Sequence, residues 1–164
     1  RRFEETLKQV RENFGELFRK LFGGGKADVV MTPQEGVDPM DWGVEIMARP
    51  PKKELTTLSL LSGGEQALTA LALVMSLFRA NPSPFCVLDE ADAALDEANV
   101  SRYTAMVQEF VQKTQVILIT HRRPTMAAAD ILYGVSMPRA GVSTIVNVDF
   151  RKVAEEPEPA AAAN

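Results

Sequence analysis

The chain is poor in the residues that build covalent or metal cross-links. Its 164 residues include one cysteine, Cys86, and one histidine, His121. A lone cysteine excludes an internal disulfide, and one Cys with one His is too few for a zinc site. Cys86 lies in an apolar run, where packing is its expected role and reactivity is not. No apolar run is long enough to cross a bilayer, and no secretory leader pattern opens the chain. The expected location is cytoplasmic, with no membrane partner. Basic excess is missing too: 18 Lys and Arg stand against 22 Asp and Glu, a net charge of -4. A broad basic face does not follow from that balance. Arg122-Arg123 is a local exception that could touch a phosphate, though such a pair more often reads as a solvated loop.

One functional element is also missing. A loop that cradles phosphates through its backbone needs the pattern G-x-x-x-x-G-K-[ST]. The nearest approach is Gly25-Lys26, but Ala27 follows it and Lys20 occupies the place of the first glycine. Both the turn glycine and the magnesium-binding hydroxyl are absent.

What is present is regular. Composition is ordinary for a globular domain, 46% hydrophobic and 24% charged, and the length suits one core. Phe3, Leu7, Val10, Phe14, Leu17 and Leu21 recur at alternating four- and three-residue steps, a heptad seam on one helix. Its C-terminal half reads as packed on its own domain. The pattern opens with no capping residue before it, so the helix is expected to continue a longer coiled coil. Gly23-Gly24-Gly25 ends it. Ala27–Met31 and Val44–Ala48 read as strands around a turn-rich stretch, and Pro50-Pro51-Lys52-Lys53 as a loop. Glu65–Arg79 reads as a helix ended by Ala80-Asn81-Pro82. Phe85–Asp89 and Gln115–Thr120 read as buried strands around a helix from Glu97 to Lys113, and a short helix follows over Pro124–Ala129. Ile131–Met137 and Ser143–Phe150 read as closing strands. Two apolar strands that each follow a helix imply a parallel α/β core. The Ala-, Pro- and Glu-rich residues Ala154–Asn164 read as a disordered tail.

Three segments carry candidate chemistry. Ser62-Gly63-Gly64 stands directly before the helix near Glu65, where unpaired N–H groups suit a phosphate. The glycines permit close backbone approach, and the same run also reads as a plain capped helix. Asp89-Glu90 emerges at the C-terminal end of a strand, the edge where open α/β sheets bind ligands. Adjacent strand residues point to opposite faces, which disfavours a glycosidase-type pair. The pair suits phosphoryl transfer, with one carboxylate on magnesium and one on a water. It also reads as an ordinary polar strand end. Asp92, Asp96 and Glu97 read as helix-start acids. His121 ends the next apolar strand, beside Asp89-Glu90 if the strands are neighbours, and alone it reads as a structural histidine.

In this order the segments resemble the ABC-type ATPases. Leu61-Ser62-Gly63-Gly64-Glu65-Gln66 resembles their signature motif and Phe85–Glu90 their Walker B strand. Ala94-Leu95-Asp96 resembles the D-loop and His121 the switch histidine. Four longer stretches, Leu21–Ala27, Pro84–Glu90, Ala93–Val100 and Leu132–Met137, resemble structural maintenance of chromosomes (SMC) proteins of bacterial type. The likeness runs from Phe3 to Phe150.

In that family an N-terminal lobe carries Walker A, and a long antiparallel coiled coil separates it from the C-terminal lobe. This chain is similar to the C-terminal lobe. The resemblance implies an α/β fold, a mostly parallel sheet with flanking helices plus a short coiled-coil stub. Residues 1–22 would be the end of the coiled coil, 23–150 the lobe and 151–164 the tail. It implies ATP and magnesium as cofactors. Asp89 would hold magnesium through its water shell, Glu90 would polarise the attacking water, and His121 would contact the γ-phosphate. These three would serve the head's own ATP. Ser62, Gly63 and Gly64, with Glu65 and Gln66 completing the motif, would close over the ATP of a second head. Asp96 would lie across the head–head interface. Gln66 departs from a basic residue common there, so altered tuning is expected. The implied partners are the N-terminal lobe, a second head in a homodimer, a kleisin subunit and DNA. The implied setting is chromosome condensation and segregation at the nucleoid, and the chain alone is expected to be inactive. Two further readings are a lobe of a coiled-coil DNA-repair ATPase and a non-catalytic dimerisation or binding module. The Leu21–Ala27 and Ala93–Val100 stretches weigh against the first. Glu90 and His121 together weigh against the second.

Overall fold

Helix α1 spans Arg2–Phe22, with Glu4 and Glu5 in its first turn and Arg19 and Lys20 in its last, each complementing the helix dipole. This computed structural model describes residues 2–38 and 41–150. The tail expected at 151–164 lies outside them.

The heptad seam divides as expected. Phe14, Leu17 and Leu21 are fully buried, whereas Phe3 is exposed. Phe18, off the seam, is equally buried. It packs edge-on to Phe14, with ring centroids 6.2 Å apart, and stacks on Phe22 at 4.1 Å. A wider apolar stripe than a coiled-coil seam is what a helix needs when it lies on a domain. Salt bridges flank the stripe: Arg11 meets Asp28 at 2.6 Å, Lys20 meets Glu109 at 2.8 Å and Arg79 meets Glu16 at 3.0 Å.

The glycine triplet turns the chain from α1 into β1 (Lys26–Thr32), which pairs antiparallel with β2 (Gly43–Arg49). Gly25 has φ +85°, and a Cβ there would stand 2.3 Å from the Arg49 carbonyl oxygen, so only glycine fits. A two-residue strand β3 (Thr56–Thr57) extends this sheet, followed by a 3-10 turn over Leu58–Leu60. Both fall in a stretch whose sequence carries no period.

Helix α2 (Gly63–Ala80) begins two residues earlier than Glu65, because the glycines are already helical. Strand β4 (Phe85–Asp89), helix α3 (Glu97–Phe110) and strand β5 (Gln115–Ile119) form one crossover unit. β4 and β5 pair parallel and in register, Phe85 opposite Gln115 and Asp89 opposite Ile119. The α/β class therefore holds, but among the described residues parallel pairing is confined to β4–β5. The remaining described pairs are antiparallel, because a tight connection reverses the chain and only a helix-length crossover returns it parallel.

β4 and β5 are not buried on both faces, as their unbroken apolar runs suggest. Cys86 and Leu88 point into the core, while Phe85 and Val87 of β4 and Ile117 and Ile119 of β5 are exposed. Cys86 itself is buried, and burial pushes its thiol up. The core joins Phe14, Leu17 and Phe18 to Leu68, Ala72 and Met75 of α2 and to Val100, Tyr103 and Met106 of α3.

Two compact units divide at residues 125 and 126, within the short helix α4 (Arg123–Ala127). The second contains an antiparallel hairpin of β6 (Ile131–Arg139) and β7 (Val142–Asp149), with Ile131 opposite Asp149 and a register shift between Ser136 and Arg139.

Phe14→Ala is expected to lower unfolding stability by ~3–5 kcal/mol, read from the urea midpoint. Phe3→Ala should change it by under ~0.5 kcal/mol. Equal effects would contradict the division of α1 into a packed and an exposed half.

Candidate functional site

Parallel register brings the two strand ends together. Asp89 closes β4, and Glu90 follows with a left-handed φ of +46°. A non-glycine residue is strained there, and such strain gathers at functional turns. The Glu90 N–H donates to the Ile119 carbonyl at 2.9 Å, and the Ala93 N–H donates back to the Glu90 carbonyl at 3.0 Å. The turn is thus tied to β5 and to itself. His121 Nδ1 stands 3.7 Å from Glu90 Oε1, and both side chains are exposed. The lone histidine is accordingly no core residue. Asp89 is also exposed. Two adjacent carboxylates are too few to cage a cation. They match magnesium, which keeps waters and is commonly completed by phosphate oxygens.

The Ser62 segment is organised around Glu65. Ser62 takes the extended N-cap backbone of α2. Its hydroxyl and its N–H both donate to Glu65 Oε2, at 2.8 and 3.0 Å. Lys53 Nζ donates to both Glu65 oxygens, at 2.8 and 3.0 Å. The Lys53 ammonium holds the Glu65 carboxyl below its usual range, and the Ser62 hydrogen bonds add to that against the effect of burial. Gln66 Nε2 donates to the Leu61 carbonyl at 3.0 Å, bracing the approach to the helix. Gly63 is open to solvent; a Cβ there would meet nothing within 4 Å. A Cβ on Gly64 would stand 3.2 Å from the Ala94 carbonyl oxygen, so this glycine lets the start of α2 approach the turn before α3.

Asp96 caps α3, accepting from the Asn99 N–H at 2.8 Å. Asp92 corrects an expectation. It is not a helix-start acid but a buried carboxylate, 1% exposed, that accepts from the Thr120 hydroxyl at 2.7 Å and from the Thr125 hydroxyl. Arg122 corrects another, since half of the Arg122-Arg123 pair is not a solvated loop. Arg122 Nη1 donates to the carbonyls of Asp92, at 3.1 Å, and Leu95. Arg123 remains exposed. The roles of Lys53, Asp92 and Arg122 are not legible in motifs, because each acts through tertiary hydrogen bonds. The only local signal was a polar residue among apolar and small neighbours in Glu90-Ala91-Asp92-Ala93-Ala94.

A sequence family described as RecF/RecN/SMC N terminal domain matches residues 17–144. The chain belongs to the RecF/RecN/SMC family. Within it, the chain is similar to the chromosome partition protein Smc of Bacillus subtilis (strain 168), 50% identical over 155 residues. It resembles that of Rhodopirellula baltica at 51% over 156 residues. These alignments cover 94% and 95% of this chain but 13% of each relative, so the chain spans about an eighth of their length. Among solved structures it superposes on an Smc head bound to the C-winged helix domain of ScpA with a TM-score of 0.86 and 42% identity. That match covers 94% of this chain and 46% of the other. A chain from work on ATP-driven dimerization and DNA stimulated activation of SMC ATPases gives a TM-score of 0.80 and 41% identity. It covers 93% of this chain and 91% of the other, so a chain of similar extent has been solved. The SMC resemblance of the four sequence stretches therefore holds across nearly all of the chain.

Glu65 titrates lower in the folded chain than its usual value of 4.5. Its contribution is present above the unfolded value and is lost as pH falls through the folded one. Lys53→Ala should move the Glu65 carboxylate titration back toward 4.5, read by NMR. An unmoved titration would contradict the Lys53–Glu65–Ser62 arrangement.

Proposed function

We propose that this chain is the C-terminal lobe of an SMC ATPase head, with residues 1–22 as the end of the coiled coil and 23–150 as the lobe. The observation that carries the reading is the meeting of Glu90 and His121 at one strand edge, Nδ1 to Oε1 3.7 Å, in a chain without a phosphate-cradling loop. Catalytic carboxylate and imidazole are supplied here, and the missing phosphate loop must come from elsewhere. An N-terminal lobe provides it and covers the apolar face of Phe85, Val87, Ile117 and Ile119. The chain alone neither holds ATP firmly nor turns it over.

In the complete head Asp89 would hold magnesium through water, and the ion, when bound, would supply positive charge that offsets the phosphates. Glu90 orients and polarises the attacking water, and its strained turn fixes where the carboxylate points. His121 contacts the terminal phosphate. Gly63 and Gly64, at the start of α2, present N–H groups to the ATP of a second head, and Ser62 reaches it by exchanging its hydroxyl bond to Glu65 for one to phosphate. Glu65 and Gln66 hold that start in shape. Asp96 faces the head–head interface. One lobe thus serves two ATP molecules, and hydrolysis releases the pair. The solved Smc heads bound to ScpA support a kleisin partner for this lobe. Homodimeric heads, DNA in the full assembly, and chromosome condensation and segregation in a cytoplasmic, nucleoid-associated setting complete the reading. No helix among the described residues is long and apolar enough to cross a membrane.

Glu90→Gln, introduced into the complete protein, is expected to lower ATP turnover by ~100-fold or more. ATP-bound head pairs should accumulate in gel filtration. Turnover within twofold of the parent would remove Glu90 from the catalytic role.

A further inference from the structure

In the proposed head the His121 segment faces this head's ATP and the Asp96 turn faces the head–head interface, and side chains outside every motif join them. Arg122 follows the switch histidine directly. Its guanidinium reaches the carbonyls of Asp92 and Leu95, which bracket the turn leading to Asp96. Asp92 answers from the other side, accepting from Thr120, the residue before His121, and from Thr125. The Thr120 hydroxyl also accepts from the Arg122 N–H at 3.0 Å. His121 is therefore flanked on both sides by residues anchored to the same turn. The far side of that turn lies close to the signature segment, where a Cβ on Gly64 would stand 3.2 Å from the Ala94 carbonyl oxygen.

Burial makes the junction stiff. Asp92 and Thr125 are each 1% exposed, and Leu95 is buried. A carboxylate in that setting is held by its hydroxyl donors, and removing one leaves a buried acceptor at high cost. Asp92 also acts on the core behind it: burial first, and then the Asp92 charge, push the Tyr103 phenol above its usual range. Neither exposed residue at the edge, Glu90 or His121, takes part in this network. Its members are placed to hold the loops and not to touch nucleotide.

We propose that Arg122 and Asp92 are positioning residues that lock the His121 segment to the Asp96 turn and, through Gly64, to the signature segment. The edge that senses this head's own phosphate and the edge that closes on the second head's ATP then move as one body. The proposal rests on the reading of this chain as a head lobe. It adds a fixed mechanical link inside the lobe, in residues that carry no motif.

Amide hydrogen exchange on this chain tests the link without nucleotide. Arg122→Ala should speed exchange at Ala93 and Leu95 by ~10-fold or more, the scale of one lost hydrogen bond to a charged group, with α2 core amides unchanged. Arg123→Ala removes the same charge from the exposed neighbour and should leave those amides alone. Unchanged exchange in Arg122→Ala, or acceleration spread evenly through the core, would overturn the proposal. Should Arg122→Ala not fold, Asp92→Asn keeps the shape and should speed exchange at Arg122, whose N–H bonds Thr120; no change there overturns it equally. In a head completed with the N-terminal lobe, Arg122→Ala should weaken ATP-dependent head pairing by ~10-fold while single-head ATP affinity moves less than ~2-fold. Equal losses in both would mean a purely structural role and overturn the proposal. If the parent head shows no ATP-dependent pairing, the head reading fails, and the exchange result still decides whether the link exists.

Discussion

Parallel pairing of β4 with β5 is the constraint from which the candidate site follows. Two strands can run parallel only if a crossover carries the chain back, and α3 supplies it. The in-register alignment of Asp89 with Ile119 then brings both strand ends to one edge. Residues far apart in sequence, Glu90 and His121, meet because of that register. A shift by one residue would turn every side chain of β5 to the opposite face and part them. The core of α1, α2 and α3 holds the register by burying Cys86 and Leu88 on one face only.

In the proposed head the other face has the larger functional role. Exposed Phe85, Val87, Ile117 and Ile119 form an apolar surface on strands whose outer edges pair with no other described strand. Such a surface is a liability in isolation and an interface in an assembly. On this proposal, the absence of a phosphate-loop pattern and the open sheet face complement each other. In the proposed head both are answered by the same partner lobe. In the same proposal the contact of Ser62 with a second ATP is a separate matter, set by the start of α2 and by the Lys53–Glu65 pair behind it.

Much of this was legible in sequence where the signal is local and periodic. The α1 seam, the glycine stop, the strand cores and the order of Ser62, Asp89, Asp96 and His121 are all short-range patterns. Their element boundaries moved by a few residues at most positions, as at Gly63 and Phe110. What escaped depends on distant partners. The apolar runs of β4 and β5 could not reveal which face lacked a cover. β3 is two residues long and exists only because β2 offers an edge. Phe18 lies off the heptad but on the wider stripe that a domain surface demands. Lys53, Asp92 and Arg122 look like surface charges until the fold brings their partners in, and each then braces a motif it does not belong to.

The most direct test of the account is ATP turnover by this chain alone and after mixing with a separately produced N-terminal lobe. No turnover alone, and turnover on mixing, is the result the split-head reading predicts. Turnover by the chain alone would contradict it, since a phosphate site would then lie within these residues. A confirmed complex of the two lobes that stays inactive with ATP and magnesium would contradict it as well, and would leave a lobe that binds without catalysing.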